Sequence, residues 1–183
     1  MNILFALNHC LWDIDIFISF FKENNIIIIF LYYILSWPNL IAFVHTDNTY
    51  DETRIYNAII SLKSKYPQGK SWTNNNKYVW QSSVAIGLGY GSYTGYGCVA
   101  FAMIASDAAF GNIPAYKKTD KKRIKVGDII RINNDSHSVI VLKVHGSDKY
   151  TIAEGNYNSS INWGRVINLS TTGFNYRITR YKS

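Results

Sequence analysis

Hydrophobic and polar positions change their spacing twice along this chain, and each change marks a different kind of segment. Residues 26–44 (IIIIFLYYILSWPNLIAFV) form an apolar run without a single charge, long enough to cross a bilayer. From Asp51 to Lys65 the apolar residues Ile55, Ala58, Ile59 and Leu62 recur at helical spacing. That spacing predicts an amphipathic helix, with Thr49 and Glu52 as its capping box and Pro67-Gln-Gly69 as its stop. The helical period returns from Cys98 to Phe110, where Cys98, Ala102, Ala105 and Ala109 lie along one side and Gly111 ends the run.

Beyond Val126 the period is that of strands. Ile129–Asn133, His137–Val144, Tyr150–Glu154, Arg165–Leu169 and Asn175–Tyr181 alternate or run apolar between turn residues such as Asn134-Asp135 and Gly146-Ser147-Asp148. Short turns between successive strands imply an antiparallel meander. Helices followed by a sheet make residues 46–183 an α+β domain.

The segments between these elements carry weaker signals. Trp72 to Trp80 is aromatic and asparagine-rich and reads as one further helical turn or a loop. Ile86 to Gly97 (IGLGYGSYTGYG) is glycine-rich and reads as a flexible approach to Cys98. It is no dinucleotide fingerprint, because Ser92 stands where a third glycine is needed, and it lacks the Gly-Lys-Ser/Thr ending of a phosphate loop. Its Tyr90, Tyr93 and Tyr96 offer apolar faces either to a substrate groove or to packing. Lys117 to Lys125 reads as a solvated, charged connector.

Composition changes the picture in two ways. With 48% hydrophobic and 17% charged residues the chain has the makings of a packed core and not of a disordered segment. The front segment moves the rest out of the cytoplasm: residues 26–44 fit a secretory signal followed by a polar start at His45-Thr46-Asp47, or an uncleaved anchor. Residues 1–21, with Asp13 and Asp15 where a signal carries positive charge, read as a candidate upstream extension outside the native protein. An exported or outward-facing domain is expected.

Charge follows from the same division. Residues 1–45 hold Lys22 against Asp13, Asp15 and Glu23, so of 19 basic and 12 acidic residues, 18 and 9 remain in 46–183, a net +9. A basic exported domain attracts anionic polymers such as those of a cell wall. Nucleic acid is not expected as a partner, since no zinc spacing, helix-turn-helix pattern or RNA-binding aromatic motif is present.

The candidate chemistry is a thiol. Of two cysteines, Cys10 lies before the export segment, so Cys98 has no partner for a disulfide behind it. A thiol at a helix N-terminus feels the positive end of the helix dipole, which favours the thiolate, and the free N–H groups there can hold an oxyanion. His137 opens one strand and Glu154 closes the next, so an antiparallel hairpin brings them to one edge. A histidine base oriented by a carboxylate or an amide is what such a thiol requires. Asn156, two residues on, faces the same way as Glu154 if the strand is still extended there. His145, at the turn end of its strand, reads as a surface residue. One cysteine and scattered histidines do not supply four zinc ligands, so neither metal nor cofactor is expected.

The stretch from Gly97 to Tyr181 resembles a CHAP or NlpC-like cysteine peptidase domain, of the papain-like group that cuts bacterial peptidoglycan. The resemblance rests on GYGCVAFAM, IKVGDIIRI, SHSVIVLKV, AEGNYNSS and the strand YRITRY. It implies a papain-like α+β fold, with N-terminal helices, one bearing the nucleophile, packed on an antiparallel meandering sheet. It implies Cys98 as nucleophile, His137 as base and Glu154 as the orienting residue, with Asn156 assisting the histidine or the oxyanion. Tyr93 and Tyr96, with Trp72 and Trp80, are the candidates for lining the substrate groove. The implied activity is that of a monomeric, exported hydrolase of peptidoglycan amide bonds. A peptidase or acyltransferase acting on proteins, and an inactive wall-binding module, are the alternatives.

Overall fold

The computed structural model of the protein describes residues 51–181. The apolar run 26–44, the extension 1–21 and Thr49 lie outside the described residues. The first helix, α1 (Glu52–Ser61), starts at an Asp51 cap, whose carboxylate accepts the Thr53 N–H at 2.9 Å. Asp51 therefore holds the capping position expected of Thr49. Ile55 and Ile59, one turn apart, form the buried stripe.

The aromatic stretch ends in a strand, not a helical turn. Strand β1 (Lys77–Trp80) pairs antiparallel with β2 (Tyr93–Tyr96) in a separate two-stranded sheet, and a short helix α2 (Ser82–Ala85) lies between them. A third of the glycine-rich segment, Tyr93–Tyr96, is thus ordered as a strand. It leads straight into helix α3 (Cys98–Phe110).

The main sheet has six antiparallel strands: β3 (Tyr116–Lys118), β4 (Ile129–Ile132), β5 (His137–Gly146), β6 (Lys149–Tyr157), β7 (Ser160–Asn168) and β8 (Tyr176–Thr179), with a short helix α4 (Leu169–Thr172) before the last. Their spatial order is β3-β8-β4-β5-β6-β7, so β4 to β7 form the expected meander. Strand β8 returns beside β4, and β3, taken from the stretch read as a solvated connector, pairs with β8. The fold is α+β.

Alternation along the strands sends side chains to two cores. Ile140, Leu142 and Ala153 face a cluster with Ile55, Ile59 and Phe101, whereas Val139, Val141 and Ile152 face another with Ile130, Ile132 and Leu169. Helix α3 is buried well beyond the single alanine side predicted, because the six-stranded sheet packs on one flank and the β1–β2 pair on another. Gly95 lets β2 come close: a Cβ there would lie 2.4 Å from the Met103 sulfur.

Candidate active site

The site is built where α3 begins. Gly97 occupies φ 52 and ψ −119, a conformation that only glycine takes without strain. Three groups from the segment before β1 grip this residue. Trp72 Nε1 donates to the Gly97 carbonyl at 2.8 Å, the Asn76 carbonyl accepts the Gly97 N–H at 2.9 Å, and Asn74 lies against its α-carbon. The peptide leading to Cys98 is therefore held on both sides. Gly97 provides no side-chain cap, so the N–H groups of the first helical turn point forward unoccupied by a cap.

His137 and Glu154 reach this helix start from the sheet. Ile140 opposes Ala153 in the β5–β6 register, which puts the beginning of β5 and the end of β6 at one edge. His137 Nε2 is 2.8 Å from Glu154 Oε2. A carboxylate only accepts, so Nε2 carries the proton and the ring addresses the thiol through Nδ1. The Cys98 thiol is within hydrogen-bonding reach of the His137 ring and of the Ser138 N–H. Cys98 is buried, with 8% of its surface exposed.

Electrostatics at the three groups pull one way. Burial pushes the Cys98 thiol up, but hydrogen bonds from His137 and the Ser138 N–H, with the charges of His137 and Arg131, outweigh it and bring the thiol below its ordinary value. Burial works against the His137 cation, yet hydrogen bonds and charges from Cys98 and Glu154 raise it to about 9. Burial likewise disfavours the Glu154 carboxylate, and hydrogen bonds from Arg165 and His137 still hold it below the usual range. Together these shifts favour a thiolate beside an imidazolium beside a carboxylate, the form suited to nucleophilic attack followed by proton delivery.

Glu154 itself is fully buried and held by a second layer of residues. Arg165 clamps it with two parallel bonds of 2.6 Å, Nε to Oε1 and Nη2 to Oε2, and Asn162 Nδ2 adds a third contact at 3.4 Å. Gln68 fixes Asn162 in turn, donating to its Oδ1 at 2.7 Å. Tyr157 stacks on the Arg165 guanidinium at 4.5 Å and stands 6.4 Å, ring to ring, from His137. A buried carboxylate with this many donors cannot swing away from the histidine.

The structure brings Cys98, His137 and Glu154 together and sets the Asn156 amide on Asn74, beside the residue that precedes Cys98. A bulge between Glu154 and Tyr157 turns Asn156 to φ 58, so the strand is no longer extended and the two-residue alternation fails. Asn156 Nδ2 donates to Asn74 Oδ1 at 2.8 Å, and both amides sit over Gly97, the residue before Cys98. The groove candidates divide as well. Trp80 is fully buried against Ala102 and Met103, and Trp72 packs edge-on to Tyr66 and Phe101, so neither has a face for a substrate. Their size places them in the core, where the largest apolar areas are removed from water. Tyr96 is 54% exposed, and Tyr93 is half-buried and stacked on Tyr90 at 5.6 Å. His145 is exposed and bonds Thr151 Oγ1.

Sequence reasoning missed Arg165, Asn162, Asn74 and Ser138. The first two had a usable signal. Placing the β6–β7 turn at Asn158-Ser159 pairs Tyr157 with Ser160 and Ile152 with Arg165, and the bulge between Glu154 and Tyr157 then sets Asn162 opposite Glu154, so the charge needed beside a buried glutamate was one hairpin away. No group of three His, Cys, Asp or Glu side chains suited to a metal ion occurs among the described residues. No family model, curated protein or solved structure matches this chain.

Proposed function

We propose that residues 46–183 are a papain-like cysteine hydrolase of the CHAP or NlpC-like kind, exported through residues 26–44 and acting on amide bonds of peptidoglycan stem peptides or cross-bridges. The observation that carries this reading is the line Cys98–His137–Glu154 at the start of a buried helix. In the reaction, Cys98 Sγ attacks the carbonyl carbon. The oxyanion forms against the free N–H groups of the first turn of α3, and the His137 Nδ1 proton passes to the leaving amine. Water, with His137 now the base, then releases the acid and restores the thiolate.

Charge supports a wall substrate over a neutral one. Every described carboxylate from Asp107 to Glu154 is in an ion pair with arginine, lysine or histidine. The excess cations therefore lie on the surface, among them Lys63, Lys65 and Lys70 around the Trp163 and Tyr66 rings. Anionic wall polymers would be attracted to such a surface.

The test is digestion of purified cell walls by residues 46–183, read by mass spectrometry of the released muropeptides. New amine and carboxyl ends are expected with the unmodified domain and none with Cys98→Ala. Full activity of Cys98→Ala would refute the mechanism. Cleavage of a protein panel with walls left intact would keep the mechanism and move the substrate to proteins.

A further inference from the structure

In the two-stranded sheet beside Cys98, the outer edge of β2 is paired by no strand among the described residues. Its register pairs Lys77 with Tyr96, Tyr78 with Gly95, Val79 with Thr94 and Trp80 with Tyr93. The Gly97 N–H donates to the Asn76 carbonyl at 2.9 Å, one step further along the same ladder. Antiparallel pairs alternate between bonded and non-bonded. The Gly97–Asn76 bond therefore makes Gly95–Tyr78 and Tyr93–Trp80 the bonded pairs. Thr94 and Tyr96 fall on the other parity, so their N–H and C=O groups point away from β1. No strand among the described residues pairs that side of β2.

Natural proteins blunt such edges with charge, proline or a bulge. This edge has none of these. Its two outward residues are Thr94, exposed, and Tyr96, 54% exposed. It also runs into the catalytic peptide: Tyr96 precedes Cys98 by two residues, about 7 Å at strand rise. Tyr93, on the same strand, is near enough to Cys98, Arg131 and Asp135 to feel their charges.

We propose that β2 binds its substrate by strand addition: an extended peptide pairs with the outward groups of Thr94 and Tyr96, and this pairing delivers a backbone carbonyl to Cys98. The inference rests on the cysteine-hydrolase reading above and narrows its substrate to a segment with several consecutive, unmethylated backbone amides. Two donors and two acceptors in line, spaced as in a sheet, match a peptide backbone and not a sugar ring or a phosphate. Affinity then comes from main-chain bonds, and Tyr96 and Tyr90 are left to contact side chains.

The probe is a tripeptidyl chloromethyl ketone, Ala-Ala-Ala, and its twins N-methylated at single amides. In each, the Cys98 thiolate displaces chloride, so a C–S bond forms as the C–Cl bond breaks and chloride leaves with the electron pair. Each reagent carries the same warhead, so rate ratios between twins report backbone pairing alone. Methylation of the amide that pairs with β2 is expected to slow alkylation about fivefold to tenfold, the net worth of one hydrogen bond, with methylation of the next amide along much less effective. In Thr94→Pro, which lacks one outward N–H and keeps the β1 pairing, the ratio between twins is expected to shrink toward one. Equal rates for all twins with the unmodified protein would overturn strand addition and leave the nucleophile intact. If chloroacetamide, which has no backbone to pair, does not modify native Cys98 in preference to free cysteine at the same pH, the nucleophile reading and this inference fall together.

Discussion

Replacing Arg165 by glutamine tests whether the second layer of the site governs its chemistry or merely holds the fold. The guanidinium is 26% exposed and makes two 2.6 Å bonds to a carboxylate with no exposed surface. Removing one partner of a buried ion pair strands the other charge and costs about 3–5 kcal/mol. For a domain of this size a melting temperature falls roughly 4 °C per kcal/mol, so a loss of more than about 10 °C is expected. The chemical consequence has a definite sign. Arg165 and His137 hold Glu154 below its ordinary value, against burial, and a group depressed in the folded state stays ionised until pH falls through that low value. Without the arginine cation the largest restraint against burial is lost, and the Glu154 carboxyl is expected to titrate higher. When Glu154 takes a proton, His137 loses its acceptor and the thiolate loses its counter-charge. The acid limb of Cys98 alkylation by iodoacetamide, followed by intact mass against pH, is therefore expected to move to higher pH in Arg165→Gln. Arg165→Lys, which keeps the charge without the fork, is expected to lose melting temperature but to retain most of the original limb. An acid limb that stays in place in Arg165→Gln while the melting temperature drops would refute this reasoning and leave Arg165 a structural clamp alone.

Two further outcomes follow from single residues. Gly97→Ala would put a Cβ 2.3 Å from Asn74 Oδ1 and 3.0 Å from Asn156 Nδ2 at a φ of +52; a stability loss of about 1–2 kcal/mol from the backbone alone and slower Cys98 alkylation are expected by denaturant titration and mass spectrometry, and an unchanged alkylation rate would show that the grip on this peptide does not matter. Asp128 is buried with Oδ1 unpartnered, and desolvation raises it from 3.8 to about 6 despite help from Thr179, Lys125 N–H and Arg177; because a raised acid gains protons on folding, stability should increase by up to about 3 kcal/mol as pH falls from neutral toward 4, a slope that calorimetry should find in the natural chain and not in Asp128→Asn.

How much of this was legible in the sequence depends on how local the signal was. Helix α3, its start at Cys98 and the β4–β7 meander came from periodicity and turn residues, which act within one element. The pairing of His137 with Glu154 followed from placing one at the start of a strand and the other at the end of the next. What failed was tertiary. Strand β1 sits in an asparagine-rich stretch with no alternation to announce it, and it exists because β2 and α3 give it a partner and a floor. Strand β3 was hidden in a lysine run because its partner among the described residues, β8, lies about sixty residues away. Asn156 was placed with Glu154 by an alternation that a bulge cancels, and no residue type marks a bulge in advance when asparagine tolerates positive φ as readily as turn positions do.

That bulge also divides the labour at the site. An extended β6 would aim Asn156 at the same edge as Glu154, where the histidine needs one orienting group and already has it. Turning the chain at Asn156 sends its amide to Asn74 and Gly97 instead, so that under the proposed mechanism one strand end would serve both halves of the site: Glu154 holds His137, and Asn156 and Asn74 pack on the peptide that leads to Cys98. The two are joined by Gly155, whose lack of a side chain is required because a Cβ there would stand 2.6 Å from Phe101 and 2.7 Å from Trp72. The sequence Glu-Gly-Asn is thus one device. Its glutamate needs burial, its glycine lets the chain pass over the aromatic core, and its asparagine needs the left-handed turn that brings the strand back to Cys98.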